Sequence, residues 1–571
     1  MQKLKYITDR IRLFLSRQRN IFAIFMVLLM LPNCFLMFTD NMTMAMRVAY
    51  LFIPIGVYMI LLSLRCRPGV VMFFLFGIIL LSCVQYVIIF LFGNSIIASD
   101  MFLNLFIGNS GEANELLSSL LPFIILGVLV LVGTLWVAIH SITIEDKFSN
   151  MERRRALIIA ACALFIGLVS AGIQRFKYED RDVLMNIYPV NVFYNIKFAH
   201  ASWQKNQAYY ETSKNFKFGA EATHNIKKRE VYILVIGETS RADSWSLYGY
   251  ERQTNPRLSE VDSLIVFTDA TTVSNTTFKS VPLILTAVSP EDFDDLYLQK
   301  SIVTAFKESG FKTAFFSNQS PSNSFIDYYM AEADTSLFMN SNPESSDNHH
   351  FDHELLPYVS QQIEHGNENL FIILHIYGSH FNYAERYEER FRKFTPDEVT
   401  GLDYMQRENL INAYDNSILV VDDLLAELIG KLKSSGVVGG LFYLSDHGED
   451  LMDDKYKRSL HSSPSPSYYQ LHIPMVMWFT NQYNRNFPDK VKLAKRHSNA
   501  PVSTVEVFHT VVDMAGIKTK YLDSNYSMVN CGFEVSERFF LDDHNMPIPL
   551  DECGMKPEDG DMFLKMGLQY P

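Results

Sequence analysis

Cysteine is scarce in this chain. Six occur in 571 residues, and Cys34, Cys66, Cys83 and Cys162 lie in or beside long apolar runs. Only Cys531 and Cys553 remain in the polar part, so at most one disulfide can form there; the alternative is two free thiols. Positive charge is also short. Fifty Lys and Arg against 63 Asp and Glu give a net charge of −13, which argues against nucleic acid as a partner, because phosphate backbones are bound through clustered Lys and Arg. Internal repeats and low-complexity tracts are absent.

What the chain has in quantity is apolar sequence, and it is concentrated before residue 175. Runs such as IFAIFMVLLMLPNCFLMF, VVMFFLFGIILLSCVQYVIIFLF and LLPFIILGVLVLVGTLWVAI approach the roughly 20 apolar residues that cross a bilayer as a helix. Five spans are expected, near 21–38, 47–64, 69–93, 120–142 and 156–174. Lys3, Lys5, Arg10, Arg12, Arg17 and Arg19 precede the first, and Lys147 and Arg153 to Arg155 lie between the fourth and fifth. The positive-inside rule makes both segments cytoplasmic. Five crossings then export everything after about residue 175. A cleaved signal peptide is the competing reading of the first span, but no small-residue cleavage site follows it and further spans do.

Residues 176–229 mix charge with aromatic side chains, as an interfacial helix and linker along a membrane would, although a bridging segment packed on the next domain has the same composition. From residue 230 to 571, short apolar runs alternate with helical patterns. VYILVIG (231–237), FIILHIYG (371–378) and GLFYLSDHG (440–448) read as buried parallel strands, and 300–310 and 410–436 as helices ending in Gly. The expected class is therefore a five-helix transmembrane domain (1–175), a linker (176–229) and an exported α/β domain (230–571) with a largely parallel sheet.

Open parallel sheets bind ligands beyond the carboxyl ends of their strands. The first run ends in Glu238, the second leads to His380, and the third ends in Asp446-His447, with His461 following on a Ser- and Pro-rich loop. Converging carboxylates and imidazoles suit a divalent ion such as zinc. His375, inside a strand, and His472 read as core histidines. The stretch ATTVSNTTFKSVPLIL (270–285) sets several hydroxyls ahead of a helix start, where a phosphate would meet free N–H groups and the positive end of the dipole. Simple N-capping explains hydroxyls there equally well.

GETSRADSWSLYGYERQTNP (237–256), NTTFKSVP (275–282), HIYGSH (375–380) and YLSDHGED (443–450) together resemble, in order, the signature blocks of the phosphoethanolamine transferases of the alkaline phosphatase and sulfatase superfamily. The resemblance implies a sulfatase-like exported domain and a tight zinc site of Glu238, Thr277, Asp446 and His447, with Thr277 the residue that becomes phosphorylated. It further implies that His380 and His461 bind phosphate or a second zinc. In MFLNLFIGNSGEANELL (101–117) it points to Asn104 and Glu112 as contacts to the lipid headgroup, with Gly108 where the family usually has Thr. Asn323 replaces a frequent lysine. Val273 and Leu283 stand where many members have a disulfide, so the nucleophile's loop is expected to be held by packing alone.

The implied chemistry is a double displacement at an inner membrane with the catalytic domain on the periplasmic side. Phosphatidylethanolamine is the donor, diacylglycerol the leaving group, and lipid A or another envelope molecule the acceptor. No histidine stands beside Thr277 in sequence as a base, which favours zinc as the activator of its hydroxyl. A sulfatase would need Cys or Ser in a C/S-x-P-x-R context, absent here. The alternative is a glycerol-phosphate transferase of the lipoteichoic acid synthase type, drawing on phosphatidylglycerol.

Overall fold

The computed structural model describes residues 2–38, 42–93, 95–107, 117, 119–178, 183–224, 226–340, 350–399, 401–462 and 464–570. In chain order the helices used below are α1 (Gln2–Leu15), α2 (Gln18–Leu36), α3 (Met44–Ser63), α4 (Pro68–Phe92), α5 (Ser99–Ile107), α6 (Leu121–Thr143), α7 (Asn150–Lys177), α8 (Val190–Gln207), α9 (Thr277–Leu285), α10 (Arg407–Ser435) and α11 (Glu506–Met514). By contacts the chain forms two compact units, one of residues 1–98 and 120–197, the other of residues 99–119 and 198–571. The helix α5 thus packs with the second unit.

In the first unit α2, α3, α4, α6 and α7 are each long and apolar enough to cross a membrane. Lipid offers no hydrophobic drive between helices, so contact requires small residues at the crossing. A Cβ on Gly56 would lie 2.9 Å from the Ala160 carbonyl oxygen, and one on Gly167 2.8 Å from the Ile53 amide. These two glycines let α3 and α7 approach backbone to backbone. Polar side chains tie other helices together. Gln18 Nε2 donates to the Ser141 carbonyl at 2.5 Å, and Ser141 Oγ returns a bond to Gln18 Oε1 at 2.7 Å. At the start of α7 Ser149 and Glu152 form a reciprocal capping box, which satisfies amide groups otherwise left open at a helix start.

The second unit is built on a seven-stranded sheet of β1 (Glu230–Gly237), β2 (Ile265–Phe267), β3 (Lys312–Ser317), β4 (Thr335–Phe338), β5 (Leu370–His375), β6 (Val438–Ser445) and β7 (Met475–Phe479), in the order β2-β7-β6-β1-β5-β3-β4. The five strands β6, β1, β5, β3 and β4 run parallel, and β7 is antiparallel to both its neighbours. All eight residues of β1 are buried, the mark of a central strand covered on both faces. On one face Leu234, Ile236 and Ile373 share a core with Val281 and Ile284 of α9 and Val511 of α11. Phe306 and Phe371 stack there at 3.8 Å between centroids. Leu424, Leu428 and Leu432 give α10 a buried apolar face, and α10 packs on β6.

This is the largely parallel sheet expected from the apolar runs, with two antiparallel pairings that short, buried strands do not announce. Cys531 and Cys553 are both free, the first exposed and the second buried. Ile373 is fully buried at the sheet's centre. Ile373→Ala should therefore destabilise the second unit by about 2–5 kcal/mol through lost burial and a residual cavity, visible as a lower midpoint in thermal unfolding of the full-length protein.

Candidate active site

Three adjacent parallel strands, β6, β1 and β5, end side by side and deliver the site. Glu238 directly follows β1, Asp446 and His447 directly follow β6, and His375 closes β5. Thr277 is the first residue of α9, with Thr276 as its N-cap, so the hydroxyl sits at the positive end of that helix. Thr277 Oγ1 donates to Glu238 Oε1 at 2.9 Å and lies 3.2 Å from His447 Nε2. His447 Nε2 is in turn 3.4 Å from Glu238 Oε1 and 3.3 Å from Asp446 Oδ2. Its other nitrogen, Nδ1, is 3.0 Å from the Gly448 carbonyl, which fixes the tautomer and turns Nε2 inward.

The local backbone is built for this convergence. Thr239 has φ +54, a left-handed conformation that a β-branched residue rarely adopts, and its amide donates to Asp446 Oδ1 at 3.2 Å. After β5 the amides of Tyr377 and Gly378 donate to the buried Asp352 at 2.8 and 2.9 Å. Gly378 has φ +56, and a Cβ there would lie 2.8 Å from the Glu238 carbonyl oxygen and 2.9 Å from its amide. Only glycine allows this turn to lie so close to Glu238.

The loop that carries Thr277 is not held by packing alone, contrary to expectation. Val273 and Leu283 are fully buried, but Thr272 Oγ1 and Ser280 Oγ also each donate to the Asp446 carbonyl at 2.6 Å. Asn275 Nδ2 donates to Gln470 Oε1 at 2.7 Å. Hydroxyls on both sides of Thr277 thus join its loop directly to the loop carrying Asp446.

Two buried carboxylates this close require positive charge between them. Burial pushes Asp446 up to about 7, and the charge of Glu238 acts in the same direction. Burial would lower His447, but the charges of Asp446 and Glu238 outweigh it and raise the imidazole to about 9. Glu238 is also pressed upward by burial, yet hydrogen bonding and charge from His447 hold it well below the usual carboxylate range. Asp446 Oδ2 is buried without a hydrogen-bond partner. Carboxylate oxygens, an inward imidazole nitrogen and a hydroxyl are donors that fit a divalent cation such as zinc.

His461 joins the same cluster. Its ring centroid is 4.2 Å from that of His447, and Glu238, His447 and His461 have ligand atoms within 4.8 Å of one another, a group that could hold a metal ion. His461 Nδ1 pairs with Glu449 Oε2 at 2.9 Å, and burial with the charge of His447 pushes the ring down to about 3, leaving it neutral. His380 stands further out, its ring 6.2 Å from His461. Asn104 is exposed on α5, and Asn323 is exposed with φ +53, a left-handed position that Asn tolerates. Glu112 and Gly108 lie outside the described residues.

Neighbours that no strand end announces complete the site. Gln319 Nε2 donates to Glu238 Oε2 at 2.8 Å, and Glu449 accepts from Tyr383 as well as meeting His461. His375 is buried in β5 as expected of a core histidine, but its Nε2 lies 3.9 Å from Glu238 Oε2 and has no hydrogen-bond partner. Glu449 sits inside the motif block YLSDHGED, and Gln319 lies in SNQSPSNSF (317–325), the stretch that also holds Asn323. His472 is a structural residue, packed between Tyr468 and Asp243.

An α/β domain with carboxylates and histidines at the ends of adjacent strands and a threonine hydroxyl among them is the arrangement of the alkaline phosphatase superfamily, and the sulfatase family model matches residues 230–517. The phosphoethanolamine transferase EptA of Salmonella typhimurium is 30% identical over 416 residues, which cover 69% of this chain and 73% of that protein. This chain belongs to the sulfatase family and is a phosphoethanolamine transferase. The fold extends through the apolar part. The structure of the integral membrane lipooligosaccharide phosphoethanolamine transferase EptA of Neisseria meningitidis superposes with a TM-score of 0.70 at 23% identity, covering 90% of this chain and 98% of that one. The periplasmic domain of EptC from Escherichia coli, solved as a complex with Zn, is 26% identical with a TM-score of 0.53, over 59% of this chain and 98% of that one.

Gly378→Ala should cost roughly 1–2 kcal/mol from the left-handed backbone alone and displace Glu238. Phosphoethanolamine transfer by this variant is expected to fall at least about tenfold, and transfer at the wild-type rate would show that the Glu238 position tolerates movement.

Proposed function

We propose that this chain transfers phosphoethanolamine from phosphatidylethanolamine to an envelope acceptor such as lipid A through a covalent adduct on Thr277. The observation that carries the reading is the Thr277 hydroxyl held 2.9 Å from Glu238 and 3.2 Å from His447 at the start of α9. Glu238, Thr277, Asp446 and His447 are the residues that would hold one tight zinc, and His380 and His461 would take the phosphate or a second zinc. When bound, zinc supplies Lewis acidity that favours loss of the threonine proton and neutralises charge on phosphoryl oxygens.

Glu238 accepts the Thr277 hydroxyl hydrogen bond and so orients the oxygen lone pairs toward the incoming phosphorus. Thr277 Oγ1 forms a bond to phosphorus as the bond from phosphorus to the diacylglycerol oxygen breaks. The threonine proton ends on diacylglycerol, which leaves as the alcohol. The free amide groups at the first turn of α9 suit the charge that builds on the phosphoryl oxygens, and His380 and His461 would help to bind it. In the second step an acceptor oxygen displaces Oγ1, the acceptor's proton returns to Thr277, and the enzyme is restored.

Phosphatidylethanolamine is a membrane lipid, which accounts for the five apolar helices. The basic segments flanking them support an inner-membrane location with the catalytic domain in the periplasm. On this reading Asn104 and Glu112 hold the donor headgroup. Adding ethanolamine cations to lipid A phosphates lowers the negative surface charge that attracts cationic peptides such as polymyxin.

The test incubates the zinc-loaded protein in detergent with phosphatidylethanolamine or phosphatidylglycerol. Diacylglycerol release and a phosphoethanolamine adduct on the Thr277 peptide by mass spectrometry are expected from the first lipid only. Glycerol phosphate on Thr277 would overturn the donor assignment. Thr277→Ala should reduce transfer by at least about 1,000-fold while keeping part of the bound zinc, measured by elemental analysis. Chelation should abolish transfer and lower the thermal midpoint, with zinc restoring both.

A further inference from the structure

A buried ion pair joins α5 to the helix that carries the nucleophile. Lys279 lies two residues after Thr277 and is 1% exposed. Its Nζ is 2.7 Å from Asp100 Oδ2 and donates to the Asp542 carbonyl at 2.7 Å. Asp100 is in the first turn of α5, where burial pushes its carboxyl up to about 6 although Lys279 opposes this. Asp542 and Asp543 add charge of the same sign, and His544 meets Asp543 at 3.0 Å. The Ser99 amide donates to Asp543 Oδ2 at 3.2 Å, and its hydroxyl donates to the Asp543 carbonyl. Three segments remote in sequence therefore meet at Lys279, the sole charged residue of α9.

Below this pair α5 is already packed, since Leu103 and Ile107 share a core with Val281 and Ile284 of α9. A buried ion pair adds little stability over well-packed apolar side chains, because desolvation consumes most of the Coulomb gain. It does impose one register. Apolar faces slide against each other at small cost, whereas Lys279 reaches both Asp100 and the Asp542 carbonyl in a single arrangement. Asn104 stands one turn further along α5, exposed.

We propose that the Lys279–Asp100 pair is a positioning device that sets α5, and with it Asn104, at a fixed distance from Thr277, so that the donor headgroup and its phosphorus are presented together. This rests on the reading of α5 as the headgroup contact given above. Lys279 and Asp100 are positioning residues; neither is placed in contact with the reacting atoms.

The test follows diacylglycerol release from phosphatidylethanolamine micelles by the full-length zinc-loaded protein and its Asp100→Asn, Lys279→Met and doubly substituted forms. The single variants should raise KM for the lipid roughly tenfold with kcat and zinc content within about twofold of wild type. The double variant should be no worse than the weaker single one, as two members of one unit require. It removes both members of the pair together, so it carries the test if a single variant fails to fold. A fall in kcat at unchanged KM would overturn the proposal by showing that the pair only supports α9, and unchanged kinetics would overturn it outright. Asn104→Ala separates the two readings. If it raises KM and the pair variants do not, the pair has no positioning role; if it leaves KM unchanged, the headgroup reading of α5 fails instead.

Discussion

Two carboxylates from neighbouring strands, Glu238 and Asp446, face one imidazole in a buried pocket, and the rest of the catalytic unit is arranged around that concentration of charge. Like charges in a poorly solvated site repel strongly. His447 offsets part of this by taking a proton far above its ordinary range. A divalent cation would offset all of it, and the Asp446 oxygen that accepts no hydrogen bond has the chemistry to receive one. The same charge explains why the threonine hydroxyl is held here. Its proton is donated to the Glu238 carboxylate, and the His447 imidazole lies 3.2 Å from the same oxygen.

Holding charged groups in such proximity requires a rigid frame, and the sheet provides it. Adjacent parallel strands end a few ångströms apart, so residues placed just beyond β6, β1 and β5 converge without long loops. The strained backbone at Thr239 and the glycine at 378 then make the final turns. Strain of this kind persists only where surrounding bonds over-determine it, and the amide contacts to Asp446 and Asp352 do so. Thr272 and Ser280 add a link between the Thr277 loop and the loop that carries Asp446. Because both bonds end on the Asp446 carbonyl, the Thr277 loop is tied to a metal-ligand candidate itself, a closer coupling than a disulfide within its own loop would give.

The segment between the third and fourth apolar helices takes part in this frame. In sequence it is a connection between two hydrophobic spans; in the fold its helix α5 belongs to the catalytic unit through Leu103, Ile107 and Asp100. The lysine it meets lies on α9, two residues after Thr277, so α5 and the start of α9 share one support.

Local pattern alone determined much of this protein. Runs of some twenty apolar residues become five helices of membrane-crossing length because a bilayer and a helical rise leave no other solution. Buried β-branched runs ending in Gly, Glu or Asp-His mark the central strands and their candidate ligands, since side chains beyond a strand end are placed by the chain itself. Order in sequence, however, says nothing about which strand lies beside which. Only the tertiary structure decided that β1 sits between β6 and β5, which brings Glu238 against His447. It also decided that Gln319 orients Glu238, that Glu449 orients His461, that hydroxyls brace the nucleophile loop, and that Lys279 finds Asp100. Each of these contacts joins residues far apart in the chain, and its geometry depends on sheet register and close packing, to which local propensity is blind.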